Sequence, residues 1–374
     1  MLVRHLIRSA AVSSALASTL LIAGGAGAAE TPGWEVSLSG ESPAGSLLSV
    51  SSVDDDLAWA VGSKGGAGVI MRWDGERWAE DTAPGLPDVW QWSAVSAVSA
   101  DDVWAYGTVG RSQALVHFDG ERWNSVTAAG PADDSWPEVP IDAVPGRLFK
   151  GGNALYTYSG GTWKTFKLPA LVDIRDIDAI SADDAYATGM KYPVTTGHPV
   201  TYHWDGTTWT LMEQPPLRTG TDTAEIAAAS SDSVYVAGRA DVPDTTAPVP
   251  GIAHWDGSAW EDITGELSAF YVRALLPDGR GGLWASGNDQ AEPAHADPVF
   301  WHYDGATWTK EAGAPASDGD TRWPSYTFND LAPAGGSGGF WAVGEYSTPL
   351  DSHGDQTVNG LIERSTVSPE ATGD

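Results

Sequence analysis

Trp59-Ala60-Val61-Gly62, followed by Trp73-Asp74-Gly75 and Trp78, is the stretch on which the fold of this 374-residue chain turns. An aromatic, a small residue and a glycine lead into an aromatic-Asp-Gly turn and then a Trp. The pattern returns as Trp104 to Gly107 with Phe118-Asp119-Gly120 and Trp123. A degenerate copy has Phe149, Gly151, Tyr158-Ser159-Gly160 and Trp163. Three further copies carry Tyr186/Gly189/Asp205/Trp209, Tyr235/Gly238/Asp256/Trp260 and Trp284/Gly287/Asp304/Trp308. The seventh starts at Trp341-Ala342-Val343-Gly344 and reaches Leu361-Ile362-Glu363 without its Trp strand, which stands at the other end as Gly33-Trp34-Glu35-Val36.

A unit of roughly 40–50 residues built from short alternating runs and turn residues indicates a propeller or a solenoid. Asp-Gly between two apolar runs marks a hairpin, because Gly accepts positive φ and Asp tolerates it. Each unit reads as four strands, a to d, with the small alternating run Ser93 to Val98 as an innermost strand. An open array would need polar caps and would leave a sticky edge. An N-terminal strand that completes the last unit removes both problems. The expectation is an all-β, seven-bladed propeller of four-stranded antiparallel blades, its last blade closed by the N-terminal strand. The seven d-strand Trp residues (Trp34, Trp78, Trp123, Trp163, Trp209, Trp260 and Trp308) then become packing between blades. Each buries on the order of 150–250 Å².

Residues 1–29 read as a secretory signal, with Arg4 and Arg8, an apolar stretch from Ala10 to Ala23, and Ala26-Gly27-Ala28 for cleavage. The propeller is expected over 30–364 and a disordered tail over 365–374. The chain carries no Cys, so disulfides and thiolate metal sites are excluded and a secreted fold must rest on packing. A net charge of −30 argues against nucleic acid or an anionic membrane as partner, and no membrane insertion is expected.

Propeller loops alternate between two faces. The a–b and c–d turns here are short and alike. The b–c loops at 189–201, 238–252, 287–299 and 344–360 are long, and Trp90, Trp92, Trp136 and Trp323 fall in d–a connections of that same face. Variable loops on a rigid scaffold carry binding. The candidate ligand-binding residues are therefore Trp90, Trp92, Trp136, Trp323, Tyr326, Asp133, Asp134, Asn288, Asp289, Asp320 and Asn329. Flat rings stack on a sugar's C–H face while carboxylates and amides bond its hydroxyls. The alternative is that the rings fold back as plugs over the blade tops.

His117, His203, His254 and His302 share one position in strand c, filled elsewhere by Arg72, Thr157 and Glu363. Equivalent positions in different blades lie far beyond the ~2 Å reach of a metal ligand, so a hydrogen-bonded structural role is expected. The Asp54-Asp55-Asp56 and Asp101-Asp102 runs sit in turns and lack the ligand spacing of a calcium loop. No cofactor is expected; calcium is compatible with the acidity but unsupported by a motif. No nucleophile elbow, zinc-protease helix or phosphate loop occurs, and no catalytic residue is assigned.

This pattern resembles secreted bacterial seven-bladed propeller lectins. Trp73-Asp74, Trp204-Asp205 and Trp255-Asp256 spell the WD dipeptide but lack its Gly-His partner, and the kelch Gly-Gly doublet is not systematic. The signal-like start, Cys-free propeller and acidic chain are also similar to the lectin subunits of umbrella toxin particles. That resemblance implies a secreted recognition subunit that binds a cell-surface glycan or polysaccharide within an extracellular antibacterial assembly. The sequence leaves two other readings open: a pure protein-docking subunit, and a propeller lyase or glycosidase.

Overall fold

The innermost strand of each blade is a short alternating run, the next carries the repeat's glycine near its end in most blades, and the outer two flank the turn that ends in glycine. In the structure, a computed structural model, this rhythm folds into seven four-stranded antiparallel sheets. It describes residues 33–39, 44–110, 112–128, 139–192, 198–217, 221–240, 249–268, 270–289, 298–316, 325–335, 339–347 and 357–365. The signal-like segment, the tail beyond Ser365 and the middles of the long b–c loops lie outside them. Among the described residues there are 28 strands, β1–β28 in chain order, and no helix long and apolar enough to cross a membrane.

Closure follows the expected plan. The last sheet has the order β1-β28-β27-β26, with β1 (Trp34–Leu38) on the outside of β28 (Val358–Ser365), β27 (Phe340–Ser347) and β26 (Ser325–Pro333). Trp34 pairs with Ser365 and Val36 with Glu363. The Trp34 ring lies parallel to Phe300 of the sixth blade, centroids 3.6 Å apart, so the N-terminal strand also packs one blade against the next. Apolar side chains form one cluster at each junction between neighbouring blades; at the seam Val50, Trp73 and Trp78 of the first blade meet Trp341, Val343 and Ile362 of the seventh.

Six of the seven d-strand Trp residues pack on the aromatic of their own hairpin, in the pairs Trp73–Trp78, Phe118–Trp123, Tyr158–Trp163, Trp204–Trp209, Trp255–Trp260 and Tyr303–Trp308. Trp78 and Trp123 are buried, whereas Trp163, Trp209, Trp260 and Trp308 are half-buried, because the outermost strand is the rim of the disk. Aspartates close the turns: the Thr207 hydroxyl and the turn N–H groups hold the Asp205 carboxylate down at about 2.

The four strand-c histidines are structural in geometry. His117, His203 and His302 each place Nε2 2.8–3.0 Å from a carboxylate of their own blade, Asp102, Asp184 and Asp278 respectively. His254 meets the Ser233 hydroxyl at 3.1 Å. Each ring stacks on the b-strand aromatic beside it. In the seventh blade Glu363 takes the position, fully buried; burial pushes its carboxyl up to about 8 although Oε2 accepts from Ala314 N at 3.0 Å.

Candidate functional site

The glycine of each b strand decides what lines the centre of the ring. A Cβ at Gly62, Gly107, Gly189, Gly287 or Gly344 would run into the carbonyl oxygen of Ser46, Gln91, Asp173, Tyr271 or Thr327 on the innermost strand. Only glycine lets the two backbones approach this closely. Directly after the close approach the innermost strand bulges. The register skips one residue at the same point in six blades: at Leu48, Ser93, Arg175, Ala224, Arg273 and Asn329. A bulge re-aims its side chain. Leu48, Ser93, Arg175, Arg273 and Asn329 all line a central cavity of about 640 Å³.

A second tier lies one step deeper. There, small polar side chains of one innermost strand accept the backbone N–H of the next blade. Ser49 takes Val95 N at 3.3 Å and Ser51 takes Ala97 N at 2.9 Å. Ser96 takes Ala143 N at 2.9 Å, and Asp142 takes Ala179 N at 2.8 Å. Asp176 and Asp178 take Ile226 N and Ala228 N at 2.8 and 2.7 Å. Asp330 takes Val50 N at 2.8 Å and so latches the last blade to the first. The innermost strand is a sheet edge whose outward N–H groups would otherwise be unpaired. Blade six has Ala274 and Leu276 at these positions, and its wall is apolar.

Burial pushes these clamp carboxyls up: Asp142 and Asp330 to about 6, Asp178 to about 7, and Asp176 well above the ordinary carboxylate range. The cavity opens to solvent, so the residues are half-buried and not sealed. Perturbed carboxyls in a cavity are the usual signature of acid–base chemistry. Here the oxygens of Asp142, Asp176 and Asp330 are occupied. Asp142 accepts from Ser96 Oγ and Ala143 N besides Ala179 N; Asp176 accepts from Ile177 N and Asp330 from Leu331 N with their second oxygens. This is the geometry of a clasp.

The innermost strands start on the b–c/d–a face, so the bulge tier is the mouth of the cavity on that face. Its arginines stand on blades four to six, on a wall that Asp173 and Glu225 also line. Arg175 donates to Tyr192 Oη at 2.6 Å. Arg239, which follows the b-strand glycine Gly238, donates to Tyr271 Oη at 3.1 Å and places its guanidinium 5.1 Å from that ring's centroid. Arg273 approaches the same ring at 5.3 Å. All three arginines and both tyrosines are half-buried. Beside Arg175, Leu171 is 65% exposed at a φ of 70°, and its carbonyl accepts Tyr192 N at 2.7 Å. A leucine in left-handed backbone is strained, and such strain gathers at sites of function.

The residues singled out from sequence divide sharply. Trp90 is 61% exposed on this face, over Gly110. Trp92 is a correction: its ring is 1% exposed and packs with Val89, Val95 and Trp123 between blades one and two. It stands opposite Gly107, on the inward side of its strand. Tyr326 is a second correction; it is 5% exposed, stacks on Tyr346, and its hydroxyl accepts Ala316 N at 3.1 Å. Asn288 uses its amide to tie Tyr326 O and Thr327 Oγ1 across blades six and seven, at 2.9 and 2.8 Å. Asn329 does line the cavity, but its amide donates to Leu47 O at 2.8 Å across the closing seam. Asp289 ends a strand, paired with Phe270. Its side chain lies outside the described residues, as do Trp136, Trp323, Asp133, Asp134 and Asp320 entirely.

Arg175, Arg239, Arg273, Tyr192 and Tyr271 were not among the sequence candidates. A signal for two of them exists: in five repeats the bulged residue stands 14 positions before the b-strand glycine, from Leu48/Gly62 to Arg273/Gly287.

Solved structures with this architecture are numerous. The chain is similar to YCF48 bound to D1 peptide, with a TM-score of 0.58 at 16% identity over 90% of this chain and 97% of that one. It is similar to YCF48 from Cyanidioschyzon merolae, with a TM-score of 0.56 at 14% identity over 91% and 100%. A streptogramin B lyase superposes with a TM-score of 0.60 at 11% identity over 88% and 96%. At these identities the likeness shows the propeller fold alone. No protein-family model matches the chain, and no curated protein matches it.

Proposed function

We propose that this protein is a secreted, non-enzymatic carbohydrate-binding propeller that holds its ligand at the b–c/d–a mouth of the central cavity, as the recognition subunit of an extracellular antibacterial assembly. One observation carries the reading. The mouth joins a cavity of about 640 Å³ to a sector of guanidinium and phenol groups raised on bulges, while the deeper carboxylates are spent on holding the ring together. Small-molecule sites occupy roughly 300–1,000 Å³ and fix their ligand with a few polar groups. The clamps also leave Asp142, Asp176 and Asp330 poorly suited to act as acid or base, which supports binding over catalysis.

The test is a glycan array read with the purified protein and with Leu48→Trp, whose indole would fill the mouth. The expected outcome is a defined set of glycans bound by the parent and lost by the variant. If no glycan binds and a stoichiometric protein is captured from culture supernatant instead, the sugar reading falls. A docking subunit is the second reading, and the strained, exposed Leu171 together with exposed Trp90 favours it. A fold neighbour is a propeller bound to a peptide, which accords with protein partners for such scaffolds.

A further inference from the structure

Arg273 is the side chain in the cavity wall whose charge has the least company. It stands on the blade-six bulge, between Val272 and Ala274, where the wall is otherwise apolar. Its guanidinium rests near the Tyr271 ring, and its Nε is buried without a hydrogen-bond partner. Among the described residues no carboxylate lies within ion-pair distance of it, in a chain with 50 Asp and Glu against 20 Lys and Arg. A ring face holds a cation by about 0.5–1 kcal/mol at exposed sites and presents no acceptor to the planar N–H fork. Arg239 reaches the same Tyr271 from blade five, and Arg175 flanks the sector from blade four. Asp173 and Glu225 also line the cavity, on blades four and five, so the charge left without a carboxylate is that of Arg273 on blade six.

We propose that this sector reads an oxyanion carried on a sugar, so that the ligand is an acidic saccharide and Arg273 supplies its charge-assisted contact. The proposal rests on the glycan reading above and narrows it to one chemical class. Guanidinium forks match carboxylates in two-point geometry, which a neutral sugar cannot reproduce. The apolar Ala274 and Leu276 beside Arg273 give the pair a wall of low polarity, where such a contact is stronger than in open water. The Tyr271 hydroxyl accepts from Arg239, and its ring lies 5.3 Å from the Arg273 guanidinium.

Calorimetric titration of the protein with matched probes tests this. The probes are oligogalacturonate and its methyl ester, and hyaluronan oligomers and their carboxyl-reduced forms. Within each pair the sugar chain is the same and only the charge differs. At least one acidic form should bind about tenfold or more tighter than its neutral twin, the size of one charged hydrogen bond. Arg273→Gln should erase that preference while leaving the melting temperature unchanged, and Arg273→Lys should recover only part of it. Equal binding of acidic and neutral twins overturns the acidic-sugar inference and leaves the glycan reading standing. So does an array on which only neutral glycans bind. Absence of any bound glycan, acidic or neutral, overturns both. Binding of poly-glutamate with no acidic sugar bound overturns the sugar assignment and keeps only an anion site.

Discussion

Two tiers of the same innermost strands behave in opposite ways. In the clamp tier, Ser49, Ser51, Ser96, Asp142, Asp176, Asp178 and Asp330 differ in size and charge yet perform one task, accepting a backbone N–H from the next blade. In the bulge tier, a residue or two away, Leu48, Ser93, Arg175, Ala224, Arg273 and Asn329 share one backbone geometry and no common task. Ring closure constrains the first tier because an unpaired edge amide is costly. In the second, Leu48, Arg175 and Arg273 are half-buried in the cavity wall, so their chemistry is available for specialisation. A propeller can thus vary its cavity mouth without loosening its ring.

The sharpest way to break this comparison is Asp330→Ala. It leaves Val50 N without its acceptor at the seam between the last blade and the first. Denaturant unfolding should show a loss of about 2 kcal/mol, the cost of an unmet buried donor. Asp330→Ser should recover most of it, since Ser49 and Ser51 do the same work with a hydroxyl. If alanine is tolerated and serine makes no difference, the clamps are ornaments of packing and the tiers are not distinct.

The clamp carboxyls, together with the buried Glu363 of strand c in the seventh blade, should also respond to pH. Glu363, Asp178, Asp142 and Asp330 are all pushed up by burial, to about 8, 7, 6 and 6. In the unfolded chain these groups lose their protons near pH 4. Between about pH 4 and 8 the folded state therefore binds more protons than the unfolded one. Stability contributed by the held protons is fully present below about pH 4 and is lost as pH rises through the folded values. Melting temperature should therefore fall steadily from pH 5 to pH 9. Glu363→Gln should remove the upper part of that fall, because Glu363 is the group shut off from solvent. A melting temperature flat over this range would mean that the carboxyls ionise freely in the fold.

The repeat made the ring, its closure and the histidine positions legible, because each is carried by residue type at fixed spacing. The cavity mouth was not. It depends on a bulge, and a bulge shifts which side of a strand a residue takes, so plain alternation misassigns everything before it. Trp90 and Trp92 illustrate this. Both are unusual aromatics near a strand start, yet Trp92 occupies the inward position that Leu47, Ile174, Val272 and Phe328 fill in other blades. Aligning the copies on their glycines, and not on their tryptophans, separates the two. Tyr326 fails for the same reason, two residues before inward-facing Phe328 and on its side of the strand. Arg239 and Tyr271 escaped because cation and ring come from neighbouring blades, a pairing that no spacing within one repeat encodes.

Leu48→Ser gives the smallest effect and tests the bulge tier from the stability side. Leu48 is half-buried in the cavity wall, and its bulge is held by the backbone approach at Gly62 and not by its side chain. A buried leucine cut back in a sealed core would cost about 2–5 kcal/mol. A residue already open to the cavity gives up far less, and surface-like substitutions stay within about 0.5 kcal/mol. Serine is also the native bulge residue of the next blade, at Ser93, so the backbone accepts it. Unfolding of Leu48→Ser should thus track the parent closely while Asp330→Ala does not. A loss of the same size in both would show that the mouth, too, is held by its side chains, and that a ring of this kind cannot change its ligand without weakening itself.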